Sequence, residues 1–368
     1  MERSSCTVTC KWTYLAHECR WDESYFRSIG LDDLADDGFR RIGTHVVDPG
    51  TALADGLCPA AAEAMGLSPG TAVGAGLIDA HAGGIGTVAA RGGAEDASSC
   101  LGYVFGTSSC TMTAEPQFVP GVWGPYFSAM VPGMWLNEGG QSAAGAAIDQ
   151  ILKLHPYGET ARGEASRDGA SLPQWLAQRA LASAGRPSQA VYLAGQLQVV
   201  PEFLGNRAPF ADPSARAVVM GLGMDASAES LVALYVAGLC GLGYGLRQII
   251  ETQAAHGVQI STISISGGAG THPLTRQLLS DATGRPVEVT ASPEPVLLGS
   301  AMLAAVASRT YPDLQTAMPA MSAVIGRCAP ATGATGALHQ TRYQAFLRMQ
   351  TLARQVRDEM QPLLAATA

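Results

Sequence analysis

The chain has 368 residues, of which 47% are hydrophobic and 15% are charged, and 43 are glycine. This composition is typical of a compact globular protein and excludes a largely disordered chain, while the length favours two domains. The net charge of −8 argues against a nucleic-acid-binding surface, which needs clustered lysine and arginine. Neither of the two lysines completes a G-x-x-x-x-G-K-[ST] pattern, so a Walker-type phosphate loop is excluded.

Cysteine usage and hydropathy indicate the cellular setting. Eight cysteines are scattered without a C-x-x-C pair, and there is no secretory signal, so we expect free thiols in a reducing cytoplasm. The run 231–250 is apolar enough to raise the question of a membrane span. Because it contains Arg247 and four glycines and is flanked by Glu229 and Glu251, we interpret it as a buried helix and expect no membrane association.

The predicted elements begin with helices over the aromatic and charged first 45 residues, with 21–34 on the surface. A short helix at 58–67 follows, because Pro59 suits a first helical turn and Gly66 a helix end. The small apolar run 72–78 predicts a buried strand that ends at Asp79, and a helix is predicted at 83–90.

The second half of the pattern alternates strands and helices. The runs 101–105 and 110–114 are strand-like on either side of Gly106-Thr107-Ser108-Ser109, which predicts a hairpin. Further predicted elements are helices at 138–153 and within 161–187, a strand at 258–266, a helix at 274–283, a strand at 286–290, and helices at 297–308 and 341–364. Glycine turns after strands favour an α/β nucleotide-binding architecture, with a domain boundary near 91–98.

Asp79 is the first candidate for chemistry. It stands within Gly76-Leu77-Ile78-Asp79-Ala80-His81-Ala82-Gly83-Gly84, at the end of an apolar run and inside a glycine cluster. Phosphoryl transfer to an alcohol requires a base at the hydroxyl and backbone N–H groups at the phosphates, and this carboxylate and the later glycine turn supply those groups. The alternative is that Asp79 only caps the next helix.

Three glycine motifs in this order resemble the FGGY family of carbohydrate kinases: the Asp79 segment, Gly106-Thr107-Ser108-Ser109, and Ser266-Gly267-Gly268-Ala269-Gly270. The resemblance covers roughly residues 6–310. Two further segments, Gly205-Asn206-Arg207-Ala208-Pro209-Phe210-Ala211-Asp212-Pro213 and Cys10-Lys11-Trp12-Thr13-Tyr14, resemble the pentulose (D-ribulokinase-like) branch. The alternative for the first of these is a surface loop ordered by pairing of Arg207 with Asp212.

The resemblance implies an α/β actin-like ATPase (ribonuclease H-like) fold of two lobes, with the first lobe truncated. The implied domains are 1–95 (part of the sugar-binding domain), 96–310 (the nucleotide-binding domain) and 311–368 (a helical extension). The family's N-terminal Asp-x-Gly-Thr phosphate motif is not found. The literal match Asp48-Pro49-Gly50-Thr51 lies too close to Asp79, and we interpret it as a turn.

The resemblance also implies the activity and its residues. We expect ATP- and Mg²⁺-dependent phosphorylation of a sugar hydroxyl, in a ketopentose such as D-ribulose or in a pentitol, and a possible homodimer, because related kinases often form dimers. Asp79 is the implied catalytic base, and the implied substrate contacts are Asp79, Ala80 and His81. The implied nucleotide-binding residues are Gly106, Thr107, Ser108, Gly145, Asp149, Gly267, Gly268 and His272.

Plainer interpretations stay open for these segments. Gly106–Ser109 suits any turn, Gly145–Asp149 suits a tightly packed helix, and Gly267–His272 suits a strand-to-helix turn. Asp79 and His81 form a D-x-H pair that can begin a metal site, but no second cluster supports it, so we expect no metal there and a substrate contact or a packed histidine instead.

Two other functions compete with the kinase. The chain could be a non-catalytic nucleotide-binding remnant that lacks most of the first domain. A serine hydrolase is less favoured, because Ser142 lies in Gly140-Gln141-Ser142-Ala143-Ala144, where alanine replaces the closing glycine of G-x-S-x-G.

Overall fold

The structure is a computed structural model that describes residues 2–88, 90, 97–119 and 123–365. Most of the predicted boundary at 91–98 therefore lies outside the described residues. The strands are β1 Arg3–Ser4, β2 Tyr14–Leu15, β3 Arg20–Trp21, β4 Val46–Val47, β5 Cys100–Phe105, β6 Ser109–Glu115, β7 Trp123–Phe127, β8 Trp135–Gln141, β9 Gln198–Val200, β10 Val218–Met220, β11 Thr262–Ser266, β12 Val287–Thr290 and β13 Val324–Cys328.

Helices cover most of the remaining described chain. They are α1 Ser5–Trp12, α2 Glu23–Ser28, α3 Asp32–Asp36, α4 Pro59–Met65, α5 Asp79–Val88, α6 Gly145–Leu154, α7 Gly158–Arg167, α8 Leu172–Ala184, α9 Ala228–Ala255, α10 Pro273–Thr283, α11 Pro295–Ala307, α12 Leu314–Met321 and α13 Gly333–Ala365, with 3₁₀ turns at Pro187–Ala194 and Gly268–Thr271.

Seven strands form one mixed sheet in the order β13-β12-β11-β5-β6-β8-β7. β11 lies between β5 and β12 and is parallel to both, whereas the other neighbours are antiparallel. The parallel connection from β11 to β12 runs through α10, as parallel neighbours require a crossover. The fold is therefore α/β with a central mixed sheet, as the sequence predicted.

Both faces of the sheet are covered by helices. Leu101, Tyr103 and Phe105 of β5 join the larger core with α6, α8 and α9, whereas Cys100 and Val104 join a second core with α5 and α11. This alternation follows from the two-residue period of a strand. β5 consequently links the two layers.

The apolar run at 231–250 lies within α9. Among the described residues, α9 is the one helix long and apolar enough to cross a membrane, and 78% of its most apolar 18-residue stretch is buried inside the protein. The prediction of a buried helix is confirmed.

Helix α5, which begins at Asp79, packs tightly against α11. A Cβ on Gly86 would overlap the carbonyl oxygen of Pro295, and a Cβ on Gly299 would overlap that of Ala82. Only glycine allows the two helices to approach this closely, so their packing determines the position of Asp79 relative to the sheet.

The structure corrects two predicted elements near the site. The buried strand at 72–78 is wrong: this segment pairs through one isolated bridge, Ala52 with Gly74, and only Ala75 in it is buried. Its small side chains bury little apolar surface, so burial does not draw it into the main sheet. The helix at 138–153 is wrong in its first part, because 138–141 belong to β8, and α6 starts at Gly145.

Other boundaries differ less. Three short helices occupy the first 45 residues together with short strands that were not predicted, and Trp21 and Phe26 are buried in an aromatic cluster and not on the surface. Helix α5 begins before the predicted residue 83, and α13 begins before 341. The segment at Asp48–Thr51 is a turn, as predicted, with the amide of Thr51 donating to the carbonyl of Asp48 at 3.1 Å.

Gly86→Ala should lower the free energy of unfolding by about 1–3 kcal/mol, because the added methyl group overlaps a backbone oxygen that cannot move aside. Gly163→Ala is the matched control: Gly163 is an exposed position in α7 where an added Cβ would meet no atom within 4 Å, and the change should stabilise by up to about 1 kcal/mol. Urea denaturation measures both. Equal effects of the two changes would contradict the close helix contact.

Candidate functional site

A cavity of about 350 Å³ lies at one edge of the central sheet, where β5, α6, α8, α9 and the turn before α10 meet. Its lining residues are Phe105, Gly145, Ile148, Asp149, Ser171, Pro173, Gln174, Tyr235, Leu239, Gly268, His272, Pro273 and Thr275. Four of the predicted nucleotide-site residues are in this set: Gly145, Asp149, Gly268 and His272. The fold thus brings residues from distant parts of the sequence around one space.

The hairpin turn between β5 and β6 lies beside the start of α6. The amides of Gly145 and Ala146 donate to the carbonyls of Gly106 and Thr107 at 3.0 and 3.1 Å, and the amide of Ala144 donates to Thr107 at 2.9 Å. These bonds hold the turn against the helix that lines the cavity, while Thr107 and Ser108 stay exposed. Their hydroxyl groups are therefore open to a ligand next to the cavity.

Gly267 allows the chain to leave β11 close to the end of β5. Its φ is +90°, and a Cβ there would overlap the carbonyl oxygen of Phe105. At Gly268, by contrast, an added Cβ would meet no atom within 4 Å. The backbone conformation therefore requires glycine at position 267, whereas Gly268 leaves open space at the cavity wall.

His272 forms the start of α10 at the far side of this turn. Its Nδ1 accepts the amide of Leu274 at 3.2 Å. Burial, and then the charge of Arg276, lowers the pKa of His272, so the ring is neutral near pH 7. A neutral imidazole beside Tyr235, Leu239 and an open glycine gives a largely apolar pocket with a few polar groups, the usual character of a small-molecule site.

Asp79 is exposed at the first turn of α5, where its Oδ1 accepts the amide of Ala80 at 2.7 Å. The Asp79 carboxylate therefore accepts a hydrogen bond at the start of α5 and is also exposed to solvent. Ala80 is half-buried, and neither residue lines the 350 Å³ cavity. The structure groups the predicted nucleotide residues together and leaves Asp79 at a separate position on the same scaffold.

The other end of α5 is tied to the strand that leads into the glycine turn. The hydroxyl of Thr87 lies 2.7 Å from the carbonyl oxygen of Gly83 and 2.8 Å from the hydroxyl of Ser266, and Ser264 donates to the carbonyl of Thr87 at 2.6 Å. Because Ser266 precedes Gly267, these bonds couple the helix of Asp79 to the cavity edge.

His81 is fully buried, which favours the packed histidine of the two alternatives. Its Nε2 lies 3.2 Å from Oε1 of Glu138, and its Nδ1 lies 3.2 Å from Sγ of Cys6 and 3.0 Å from the carbonyl oxygen of Ala129. Burial lowers the pKa of His81, but hydrogen bonds to Cys6 and Glu138 outweigh burial and raise it to about 9. The hydrogen bond with Cys10 is the main cause that lowers the pKa of the Cys6 thiol, to about 5.

Glu138 also borders a second cavity, of about 380 Å³, together with Trp123, Arg207 and residues of the 205–213 segment. The alternative for this segment, a surface loop ordered by pairing of Arg207 with Asp212, is wrong. The guanidinium of Arg207 lies 5.3 Å from the ring centre of Trp123, whereas Asp212 forms an ion pair with Arg357 of α13 at 2.6 Å. The segment thus forms a cavity wall, and its aspartate anchors the C-terminal helix.

Sequence reasoning missed Cys6, Cys10 and Glu138. The two thiols stand four residues apart in α1, a spacing that places them on one helix face and could have drawn attention to them. Glu138 was assigned to a helix, so its approach to His81 from β8 could not be anticipated.

Solved structures share this architecture. A xyloylose kinase from Brucella ovis superposes with a TM-score of 0.73 at 17% identity, covering 96% of this chain and 66% of that one. Glycerol kinase from Plasmodium falciparum, solved with ADP, gives a TM-score of 0.69 at 14% identity, covering 95% and 63%. The fold is that of the sugar kinases, the actin-like ATPase fold.

The family follows from sequence comparison. Residues 101–308 match the C-terminal domain model of the FGGY family of carbohydrate kinases, and the chain belongs to that family. The FGGY carbohydrate kinase domain-containing protein of Homo sapiens is 41% identical over 356 residues, covering 94% of this chain and 64% of that protein. The D-ribulokinase YDR109C of Saccharomyces cerevisiae is 34% identical over 339 residues, covering 84% and 47%.

The chain spans 64–65% of the length of the vertebrate relatives that it matches.

Thr87→Val should lower the free energy of unfolding by about 1–2 kcal/mol, because valine keeps the buried shape but leaves Ser266 without this partner. Thr341→Val is the control, since the exposed Thr341 hydroxyl donates to a carbonyl of its own helix, that of Ala337. Chemical denaturation of both variants checks the coupling of α5 to β11. A loss no larger than that of the control would show that the coupling contributes nothing measurable.

Proposed function

We propose that this protein is an ATP-dependent carbohydrate kinase whose acceptor is a ketopentose such as D-ribulose, or a pentitol. The observation that carries the proposal is the convergence of Gly145, Asp149, Gly268 and His272 on one cavity, beside the exposed turn of Thr107. All of these residues lie within the segment that matches the family's C-terminal domain.

In the proposed complex the purine ring occupies the 350 Å³ cavity, next to Tyr235, His272 and the open wall at Gly268. The phosphates extend towards the hairpin turn, where the hydroxyl groups of Thr107 and Ser108 and the turn amides are within reach of them. The glycine turns let the backbone approach the nucleotide without a side chain in between.

Mg²⁺ commonly binds one or two protein carboxylates together with phosphate oxygens of the substrate. We propose Asp149, an exposed carboxylate that lines the 350 Å³ cavity, as its protein ligand. When bound, Mg²⁺ neutralises charge on the phosphates of the nucleotide.

Asp79 is proposed as the base that accepts the proton of the sugar hydroxyl during phosphoryl transfer. Aspartate is a weak base, but the transition state is loose and the proton can move late, so its position matters more than its basicity. The glycine contacts between α5 and α11 and the bonds of Thr87 supply that positional control.

The acceptor class rests on similarity to D-ribulokinase YDR109C and on the 205–213 segment. In the structure that segment borders the 380 Å³ cavity with Glu138, Arg207 and Trp123, a set of charged and aromatic groups suited to sugar hydroxyls and a ring face. We propose this cavity as the acceptor side.

A second candidate is nucleotide binding without sugar phosphorylation. It is favoured by one observation: every residue that lines the 350 Å³ cavity lies within 101–308, whereas Asp79 lies outside that segment. Normal ATP binding with no sugar-dependent ADP release would support this candidate over the kinase.

Gly268→Val should raise the Kd for ATP at least about tenfold, a loss of about 1.4 kcal/mol, because the side chain projects into the space proposed for the nucleotide. The midpoint of unfolding should change little, since an added Cβ at Gly268 would meet no atom within 4 Å. Gly223→Val, at another open glycine, serves as the control. Calorimetric titration with a non-hydrolysable ATP analogue measures the Kd, and wild-type affinity in Gly268→Val would place the nucleotide elsewhere.

Asp79→Asn should lower sugar-dependent turnover about 10²–10⁴-fold with the Kd for ATP unchanged, because the amide cannot accept the proton. The assay is ADP release with Mg-ATP and D-ribulose, beside D-xylulose, L-ribulose and ribitol. Asp48→Asn is the matched control and should retain full turnover, because Asp48 is exposed and begins the other Asp-x-Gly-Thr segment. Unchanged turnover in Asp79→Asn would remove Asp79 from the mechanism.

A further inference from the structure

Two thiols and one imidazole meet between α1 and the start of α5. Cys6 and Cys10 lie one turn apart on α1, and His81 lies on α5. One ligand atom from each of the three side chains lies within 4.8 Å of the other two. Cys6 Sγ and His81 Nδ1 are 3.2 Å apart. Within the described part of the chain, this is the one group of three or more histidine, cysteine or acidic side chains close enough to share a metal ion.

The donor set is that of a thiophilic cation. Zn²⁺ binds cysteine sulfur at about 2.3 Å and histidine nitrogen at about 2.0–2.1 Å in tetrahedral geometry, which places the ligand atoms roughly 3.5–3.8 Å apart. The observed spacing needs only small side-chain adjustments to reach this geometry. Hard cations such as Mg²⁺ prefer oxygen ligands and do not fit these three groups.

The surroundings of His81 also match a metal site. A histidine that binds a metal usually donates a hydrogen bond from its other ring N–H, often to a carboxylate, and this bond fixes the tautomer. Nε2 of His81 lies 3.2 Å from Oε1 of Glu138. The Nδ1 atom then faces the thiols, and a metal would displace its contact with the carbonyl oxygen of Ala129. Cys6 and His81 are buried while Cys10 is partly exposed, so Cys10 marks the entry side.

A disulfide explains the thiol pair less well. Helical neighbours four residues apart have Cβ atoms about 5–6 Å apart, whereas a disulfide needs about 3.5–4.5 Å. Oxidation would therefore distort α1, whereas a shared metal ion would not. A disulfide would also give no role to the buried His81 imidazole and its contact with Glu138.

We propose that Cys6, Cys10 and His81 form a binding site for a thiophilic metal ion, with Zn²⁺ as its representative, that fastens α1 to the first turn of α5. Three protein ligands leave a fourth position for water or another ligand on the side of Cys10. Since His81 is two residues from Asp79, the ion would also restrain the helix start that carries that carboxylate. The proposal does not depend on the kinase assignment.

The test uses the whole chain, reduced and stripped of metal, titrated with Zn²⁺ against a chromophoric chelator. We expect one tight site per chain and a rise in the unfolding temperature with Zn²⁺, since the ion binds the folded state. Cys10→Ser should weaken Zn²⁺ binding at least about 100-fold, because even loss of an outer partner of a ligand costs about 10–100-fold, and should abolish the rise. The paired change Cys19→Ser with Cys58→Ser, at two exposed thiols away from the cluster, should change neither.

Two measurements on the unaltered chain cover the case in which a variant fails to fold. Bound Co²⁺ should show thiolate charge-transfer absorption with tetrahedral d–d bands, and Zn²⁺ should protect Cys10, but not Cys19, from alkylation mapped by mass spectrometry. Absence of tight Zn²⁺ binding to the folded chain, or unweakened Zn²⁺ binding in a folded Cys10→Ser variant, would overturn the proposal.

Discussion

The parallel pairing of β5 with β11 is the constraint on which the candidate site depends. The strands pair in register from Cys100 with Thr262 to Val104 with Ser266, so both end at the same edge of the sheet. Parallel strands leave their turns on one side, the edge at which open α/β sheets bind ligands. The turn after β5 and the turn after β11 therefore emerge side by side. This arrangement requires a glycine at position 267, because φ is positive there and the backbone lies close to the end of β5.

Helix α5 extends the same constraint to Asp79. The bonds between Thr87 and the serines of β11 fix one end of the helix, and glycine contacts with α11 fix its side. At 1.5 Å per residue, Asp79 stands about 12 Å along the helix axis from Thr87. The helix thus sets the distance between the Asp79 carboxylate and the glycine turns.

The parts predicted well from the sequence are those with a local signal. The hairpin of β5 and β6, strand β11, and helices α10 and α11 follow from glycine turns, β-branched runs and apolar periodicity within a few residues of each other. The errors at 72–78 and 138–141 arose because segments rich in small residues are compatible with a strand, a helix or a loop. The residues proposed to contact the nucleotide belong to short glycine motifs, although their meeting at one cavity depends on the sheet order. The prediction of Asp79 as a base needed the family resemblance. The thiol and imidazole cluster could not be found, because Cys6 and His81 are separated by 75 residues and come into contact only in the folded chain.

Helix α5 is held at its start by the contacts of His81 and at its end by the hydroxyl contacts of Thr87. The position of Asp79 and the integrity of the 350 Å³ cavity therefore depend on different contacts. The 350 Å³ cavity proposed for the nucleotide is lined entirely by residues within 101–308 and by none from α5, so the proposed nucleotide site depends only on the sheet edge and its turns. The placement of Asp79 depends also on His81, Glu138 and Cys6, which pack beneath the first turn of α5. Changes in that cluster should therefore affect the geometry at Asp79 while leaving the cavity intact. This follows because Thr87, at the opposite end of the helix, makes the contacts to the strand that leads into the glycine turn.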